Sequence, residues 1–544
     1  MRNGTWNLVP RPRDAPVVGS RWVFTLKYDA AGNISRYKAR FVCKGFTQTE
    51  GIDFFETFAP VVAMNSLRLL LAMATRHDWD IFHMDVKTAF LNAPVEEKIY
   101  VQQPPGFVVR GKEGWVLELL KSLYGLKQSP RNFNKHITDY LTSLGFVQSK
   151  ADVCLFYHYD DSGKICMLSI YVDDIVITGD DIIYRDSTRK SLKEAYVMSD
   201  LGEISQILGM IITRDRPNRS LRISHGTYIK ALMERFDVSD VTYNYATPAD
   251  DDTYTQYLEA VFRQDQRTHT SYDYRGVIGC LVYLANATRP DIANITRFLS
   301  GFVTTWTDIH VKFAQRVLKY LYLTADIGIH YSFPNGGVDN DGIEITAGTS
   351  SLSSSALVKQ LKQYQLSKGA LVNQLEGYAD ASWADNYADA TSTSGFFIQW
   401  AGCLISWKSI KQKVISQSSM EAEFIAMNDC LMEIKSIVFL LEDLSKEQFG
   451  ALIDSSDDKA MKLVEDAASI FINGDNTAAI MIGNQDVNTK RSRMVNTKFH
   501  LIKEAVVDKL VSFRYINTKE NLADIFTKCL GKAPFLYLRN KFMV

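Results

Sequence analysis

The chain has no apolar run approaching the roughly 18 residues that a membrane-spanning helix needs. Its first residues, MRNGTW, contain no apolar signal-peptide core. Cysteine is sparse: seven in 544 residues, at positions 43, 154, 166, 280, 403, 430 and 529, with no C-x-x-C pair. An odd, scattered set argues against a disulfide framework and against a zinc site, and it fits a reducing compartment. No internal repeat is visible, and net charge is nearly absent at −1. The near-neutral total hides an uneven distribution. Residues 1–49 hold nine Lys/Arg against two Asp/Glu, and residues 484–544 hold twelve against five, a net of +7 at each end. Two basic ends can each track a phosphate backbone. Charge alone is explained as well by solvated faces.

What is present in quantity is core-forming material. Hydrophobic residues make up 46% of the chain and charged residues 23%. The length is a prior for about three or four domains. Residues 21–27 and 37–43 alternate at period two around the turn cluster 29–33, predicting a basic β-hairpin. Residues 66–78 read as a helix with Ser66 as N-cap. Residues 130–144 read as another, entered through Ser129-Pro130, with Phe133, Ile137, Tyr140, Leu141 and Leu144 on one face. Strand and helix alternate through residue 247, which predicts an α+β or α/β multidomain protein. Residues 248–270, rich in Asp, Thr, Gln and Tyr, read as a linker or exposed loop. Residues 272–323 are helical in pattern. Residues 333–370 form a second stretch of low hydrophobicity, and 443–467 is acidic and poorly patterned. Strand-like runs at 395–400 and 403–408, then a helix from about Ser419, open a further unit.

Two sets of carboxylates carry the chemistry. Asp173 and Asp174 lie in YVDD (171–174), between the strand-like runs 165–170 and 175–178. Two acids at a hairpin tip repel and invite a hard cation, although tight turns favour Asp in any case. Asp85 sits in a second strand-like run, HMDVKTAF (83–90). Phosphoryl transfer to a primer hydroxyl needs two metal ions, and Mg²⁺ takes one or two carboxylates plus substrate phosphates. Asp85 and Asp173 therefore form the essential pair of this reading. Phe90 can close the floor under an incoming sugar, or be a core aromatic. Lys38, Arg40 and Lys44 alternate on the basic hairpin, where they can meet a triphosphate or line a solvated face.

The second set is Asp380 in GYADASW (377–383), Glu421 in SSMEAEF (418–424), Asp475 after SIFI (469–472), and Asp524 in NLADIFTK (521–528). Taken singly, Glu421 is explained as a helix N-terminal acid and Asp475 as an N-cap.

Further segments extend both sets: TWNLVP (5–10), RYKARFVCKGFTQ (36–48), ETFAPVV (56–62), DVKTAFLN (85–92), QPPGF (103–107), SLYGLKQSPR (122–131) and LVYLANATRPDI (281–292). With these the chain resembles the Ty1/copia-type reverse transcriptase with its attached ribonuclease H, over nearly its whole length and in the family's order. The resemblance implies a right-hand polymerase of fingers, palm and thumb, followed by a ribonuclease H-like domain with a mixed sheet. The implied layout is 1–247 fingers and palm, 248–332 linker plus thumb and connection helices, 333–372 insertion or linker, 373–530 ribonuclease H, and 531–544 tail. It makes Asp85, Asp173 and Asp174 the first metal triad and puts Phe90 at the sugar gate. Lys38, Arg40 and Gln128 (within 125–131) fall beside the incoming nucleotide, and residues 208–209 support the primer. It makes Asp380, Glu421, Asp475 and Asp524 the second metal set, Glu423 being a competing choice for Glu421.

Two Mg²⁺ ions per site are implied, with Mn²⁺ as a substitute. The implied partners are an RNA template, a DNA or tRNA-type primer, dNTPs, the RNA–DNA hybrid, and the integrase or capsid of the same element, with no membrane. The implied setting is the cytoplasm, within virus-like particles, with access to the nucleus. Capsid, protease and integrase are not visible, so the chain reads as a fragment, a processed product or a domesticated remnant.

Some positions depart from the family pattern. Residues 493–496 read RMVN where Lys-His-Ile-Asp is common. Asn517 and Cys529 replace prolines, and Gly474 stands where a Cys or acid is usual. His500 matches a family His. None of these removes a metal ligand. The alternatives to the two-activity enzyme are a non-catalytic nucleic-acid-binding remnant and an enzyme active only as a polymerase. Intact acids favour catalysis.

Overall fold

A computed structural model describes residues 3–28, 34–238, 241, 243, 245–262, 267, 271–333, 374–386, 389–450, 470–484 and 496–544. The architecture is mixed α/β and divides into two compact units. The first comprises 1–63 and 80–204, the second 64–79 and 205–544. None of the seven cysteines is in a disulfide. Among the described residues no helix is long and apolar enough to cross a membrane.

The first unit is organised by a six-stranded sheet in the order Met198–Glu203, Ile81–Val86, Asp174–Gly179, Ile165–Tyr171, Leu155–Tyr159, Val147–Gln148. Every neighbouring pair is antiparallel. Helices Ser129–Ser143 and Ile182–Ala195 cover one face. Phe133, Ile137, Leu141 and Leu192 pack there with Met84, Val86, Leu168 and Ile175. Because Met84 and Val86 point into this core, strand alternation turns His83 and Asp85 to the opposite face. The basic hairpin forms as predicted, Ser20–Tyr28 against Ile34–Cys43, with its turn 29–33 outside the described residues. A separate four-stranded sheet is built from Trp6–Pro10, Trp115–Leu119, Tyr100–Gln102 and Val17–Val18.

The second unit contains a mixed five-stranded sheet. Its order is Cys403–Lys411, Thr391–Trp400, Leu375–Asn386, Ile470–Gly474, Val511–Tyr515. The first three strands are antiparallel, and the last two join in parallel. Helix Ser419–Gly450 packs on this sheet. A four-stranded antiparallel sheet, Gln206–Ile207, Met210–Asp215, Ser220–Ser224 and Ile329–Ser332, precedes it. The end of the chain pairs back onto that last strand through Gly328 and Val544. Helix Met64–Arg76 belongs to this unit. Arg68 donates to the carbonyls of Asn286, Ala287 and Ile405 and stacks 3.9 Å over the Trp407 ring. Burial pushes its guanidinium down to about 10, so it stays charged at neutral pH.

The segment 281–292 is explained by a fully buried ion pair. Arg289 reaches Asp291 through two parallel bonds of 2.9 and 2.7 Å, and the Tyr320 hydroxyl donates to Asp291 at 2.5 Å. Removing one partner leaves an uncompensated buried charge. Asp291→Asn is therefore expected to cost about 3–5 kcal/mol of stability, seen as a lower urea midpoint. The paired replacement Arg289→Met with Asp291→Leu should lose less. An Asp291→Asn midpoint equal to that of the native chain would contradict this.

Some boundaries differ from the sequence expectation. The helix expected at 66–78 starts two residues earlier, so Ser66 is buried in the first turn and its N–H donates to the Asn65 side chain. Ser129 lies inside its helix rather than capping it, and its hydroxyl donates to Leu123 O at 2.7 Å. The supposed loop 248–270 contains helix Asp251–Phe262. Tertiary contacts override its polar composition. Tyr257 packs among Phe298, Phe302 and His310, and Asp250 pairs with Arg316 at 2.6 Å. Of the stretch 443–467, residues up to Gly450 continue the long helix. The rest, like 334–373, lies outside the described residues.

Candidate functional site

The first acid cluster is assembled by strand register. Asp85 pairs with Asp174 across neighbouring antiparallel strands, and Tyr171 pairs with Asp174 across the hairpin. That leaves Val172 and Asp173 as a two-residue turn. Val172 takes φ 56°, a left-handed conformation that a β-branched residue rarely adopts. Such strain costs roughly 1–3 kcal/mol and persists where the surroundings over-determine it. Here Asp173 O accepts from Val86 N at 2.9 Å, which ties the tip to the Asp85 strand. Burial, then the charges of Asp174 and Asp85, raise the Asp173 carboxyl above its ordinary range, and Lys38 opposes them.

Asp174 is already partnered: His83 Nε2 lies 2.7 Å from its Oδ1. His83 was not singled out from sequence. Its position two residues before Asp85, on the same strand face, is the signal that marks it. Tyr124 is a second addition. Its hydroxyl is raised by burial and by Asp173 and Asp85, with Arg40 opposing, and Arg40 lies 5.9 Å over its ring. Phe90, in the short turn Ala89–Asn92, tilts against Tyr124 at 4.9 Å. Tyr124 is held by Cys43 N, which donates to its carbonyl at 2.8 Å. The close approach depends on Gly125, at φ +92°, where a Cβ would stand 2.2 Å from Cys43 O. Lys38 and Tyr124 thus stand near the acids, with Arg40 and Phe90 against the Tyr124 ring.

Gln128 is not brought to this cluster. It is 1% exposed, its carbonyl accepts from Gln48 at 3.1 Å, and its amide donates to Asp53 O at 2.7 Å. Its side chain braces the loop rather than offering itself to a nucleotide.

The second cluster sits just past the point where the parallel pairing of Leu375–Asn386 with Ile470–Gly474 stops. Tyr378 pairs with Asn473, and two residues further along each strand lie Asp380 and Asp475. Asp524 arrives on the turn Asp524–Phe526. That turn can approach because Gly395, paired with Asp380, has no side chain. A Cβ there would lie 2.6 Å from Thr527 and 3.0 Å from Ala523 O. Carboxylate oxygens of Asp380, Asp475 and Asp524 all lie within 4.8 Å of one another. Burial and the Asp380 charge push Asp524 up to about 7.

The fourth acid is placed differently from the expectation. Glu421 points back along the helix start and accepts from Gln417 N at 2.8 Å, while its own N–H donates to Ser418 Oγ, a capping arrangement. Glu423 is the glutamate at the cluster. It is 7% exposed, its Oε2 has no hydrogen-bond partner, and burial plus the charges of Asp380 and Asp475 push it up to about 9. Lys528, also missed from sequence, lies 3.0 Å from Asp524 Oδ1 and 3.3 Å from Asp380 Oδ2. Its spacing four residues after Asp524 is the available clue.

One departure from the family pattern, Asn517, lies next to a residue that touches this cluster. Asn517 caps the turn Thr518–Glu520 through Lys519 N, and the Thr518 hydroxyl donates to Asp475 Oδ2 at 2.7 Å. His500 is exposed on helix Asn496–Val507. Met494 is outside the described residues.

A family model described as reverse transcriptase (RNA-dependent DNA polymerase) matches residues 3–250. The chain is 30% identical over 534 residues to the retrovirus-related Pol polyprotein from transposon TNT 1-94 of Nicotiana tabacum, covering 98% of this chain and 36% of that protein. It is 32% identical over 540 residues to the Pol polyprotein from transposon RE1 of Arabidopsis thaliana, covering 99% and 32%. It thus spans about a third of the length of these polyproteins. A transposon Ty5-1 protein of Saccharomyces cerevisiae is 30% identical over 357 residues, covering 64% of this chain and all of that protein. Among solved structures, a foamy viral protease-reverse transcriptase in complex with double-stranded DNA is similar at 12% identity and TM-score 0.43, covering 94% of this chain and 67% of that one. Identity of at least 30% along the whole of a relative decides the matter: the chain belongs to the reverse transcriptase family of Ty1/copia-type transposon Pol proteins.

Proposed function

We propose that the chain is an RNA- and DNA-templated DNA polymerase joined to a ribonuclease H, copying retrotransposon RNA into DNA and removing the RNA strand. The observation that carries this reading is the register that sets Asp85 beside Asp174 and ties the Asp173 turn to the Asp85 strand. Hard oxygen donors of this kind fit a divalent cation, and Mg²⁺ is the ion of choice in phosphoryl transfer. Asp85 and Asp173 would hold it, with Asp174 oriented by His83. Asp380, Asp475, Asp524 and Glu423 form the second donor set, supported by clustered oxygens and an unpartnered buried Glu423 Oε2. Bound Mg²⁺ supplies activation of the attacking oxygen and stabilisation of the in-line displacement at each site.

Around the first site, Lys38 and Arg40 offer cationic charge for a triphosphate, and Phe90 with Tyr124 presents a wall for the sugar. The hairpin carries exposed Phe24 and Tyr37 beside its basic residues, a surface suited to stacking and backbone contact. Contacts to template and primer should be mostly backbone-directed, since a copying enzyme reads sequence through pairing. RNA is told from DNA by helix shape and 2′-hydroxyls.

The domain layout in this reading is fingers and palm over 1–247, thumb and connection over 248–332, a linker over 333–372, and ribonuclease H over 373–530 with 531–544 after it. The reading extends to a tRNA-type primer, to integrase and capsid of the same element, and to cytoplasmic virus-like particles as the setting.

The test is primer extension on an RNA template with Mg²⁺, beside cleavage of a labelled RNA–DNA hybrid. Both activities are expected. Extension with an uncut hybrid would leave a polymerase alone. Absence of both would leave a nucleic-acid-binding remnant.

A further inference from the structure

Four carboxylates crowd the second cluster, and one ammonium sits among them. Lys528 Nζ is 3.0 Å from Asp524 Oδ1, and 3.4 and 3.3 Å from Asp380 Oδ1 and Oδ2. The Asp380 side chain is 0% exposed and that of Asp524 8%, whereas the Lys528 side chain is 36% exposed. The acids are therefore fixed and buried, while the lysine has a path to solvent. The turn 524–528 brings all the parts together: Asp524 itself, the Thr527 hydroxyl donating to Asp380 Oδ2, and the ammonium one turn on.

We propose that Lys528 is a tethered counter-ion of this cluster, neutralising Asp380 and Asp524 when no divalent ion is bound and competing with that ion for the same oxygens. The inference rests on the reading of the cluster as a metal site. Buried carboxylates this close repel, and a single added positive charge relieves both repulsion and desolvation. A lysine suits the role better than an arginine would. Its point charge sits on a flexible four-carbon stem and has no planar fork to lock it in place. An ion with two charges and several coordination positions would displace it, and Glu423 Oε2, left unpartnered beside the cluster, is a donor that the ammonium does not use.

The experiment uses the full chain carrying Asp85→Asn and Asp173→Asn, so that bound Mn²⁺ reports the second cluster. Mn²⁺ binding is followed by electron paramagnetic resonance, and thermal unfolding is followed in chelator and in Mn²⁺. Lys528→Met in this background is expected to bind Mn²⁺ about tenfold more tightly, as removal of one like charge from a partly exposed site implies. Its metal-free melting midpoint should fall, and Mn²⁺ should restore it. Lys528→Arg should keep the native midpoint without metal. Equal Mn²⁺ affinity and equal metal-free midpoints in the Met variant would overturn the inference. So would unchanged Mn²⁺ affinity with weakened RNA–DNA hybrid binding, which would make Lys528 a phosphate contact. Adding Asp475→Asn checks the underlying reading. Mn²⁺ binding that ignores this substitution, or no binding by any variant, rejects the metal site itself and the inference with it.

Discussion

Asp173→Asn is expected to reduce primer extension on an RNA template by about a thousandfold or more. The substitution keeps side-chain shape and leaves the Asp173 carbonyl to accept from Val86 N as before. The tip of the hairpin therefore stays tied to the Asp85 strand, and what is lost is one negative charge. That charge is the one the site has worked to concentrate. Burial and the neighbouring Asp174 and Asp85 all disfavour it, and Lys38 only partly compensates. A divalent cation held by Asp85 and Asp173 would relieve these together. Asp174→Asn should be milder, by about tenfold, because Oδ1 of Asp174 is already occupied by His83. Single-turnover extension at saturating template separates chemistry from binding. An Asp173→Asn variant that extends at the native rate would remove the acid pair from the mechanism.

Glu423→Gln is expected to slow cleavage of the RNA strand by about a hundredfold or more, and Glu421→Gln by no more than about threefold. The two residues are separated by one alanine and have opposite duties. Glu421 closes the helix start by accepting from Gln417 N, so its loss costs part of a cap, about 1 kcal/mol of stability. Glu423 faces Asp380 and Asp475 from a buried position. The pair of variants should therefore divide cleanly, one losing cleavage at native stability and the other losing a little stability at native cleavage. The reverse pattern would return the role to Glu421. Primer extension serves as the internal control, since neither glutamate belongs to the first cluster.

Helix phase explains why sequence did not choose between these glutamates. Around them Ala422, Phe424, Ile425, Ala426 and Met427 are all buried. A helix apolar on nearly every side gives no stripe from which to read which acid faces inward. The first cluster was legible for the opposite reason. Apolar runs flank YVDD closely enough to force a tight hairpin, and Met84 and Val86 fix the face of Asp85. Arg40 and Phe90 could be named from their segments, but their meeting at Tyr124 depends on the Gly125 loop reaching Cys43, a contact between distant stretches. Gln128 shows the converse case. Its segment reads as a nucleotide contact, while its amide is consumed in bracing Gln48 and Asp53 O. Helix Asp251–Phe262 was hidden by polar composition, because the aromatics that hold Tyr257 lie far along the chain.

The helix Met64–Arg76 gives the chain an order of assembly. It is synthesised early, between two stretches of the first unit, yet Leu69, Leu70 and Leu71 are buried in the second. The carbonyls that receive Arg68, at Asn286, Ala287 and Ile405, leave the ribosome much later. Until then an apolar helix has emerged without its partners, the condition under which nascent chains aggregate or engage chaperones. A fragment ending near residue 250, where the reverse transcriptase match stops, would leave Arg68 without those carbonyls and without the Trp407 ring. The stretch matched by one family, residues 3–250, is thus not the stretch that folds as one body.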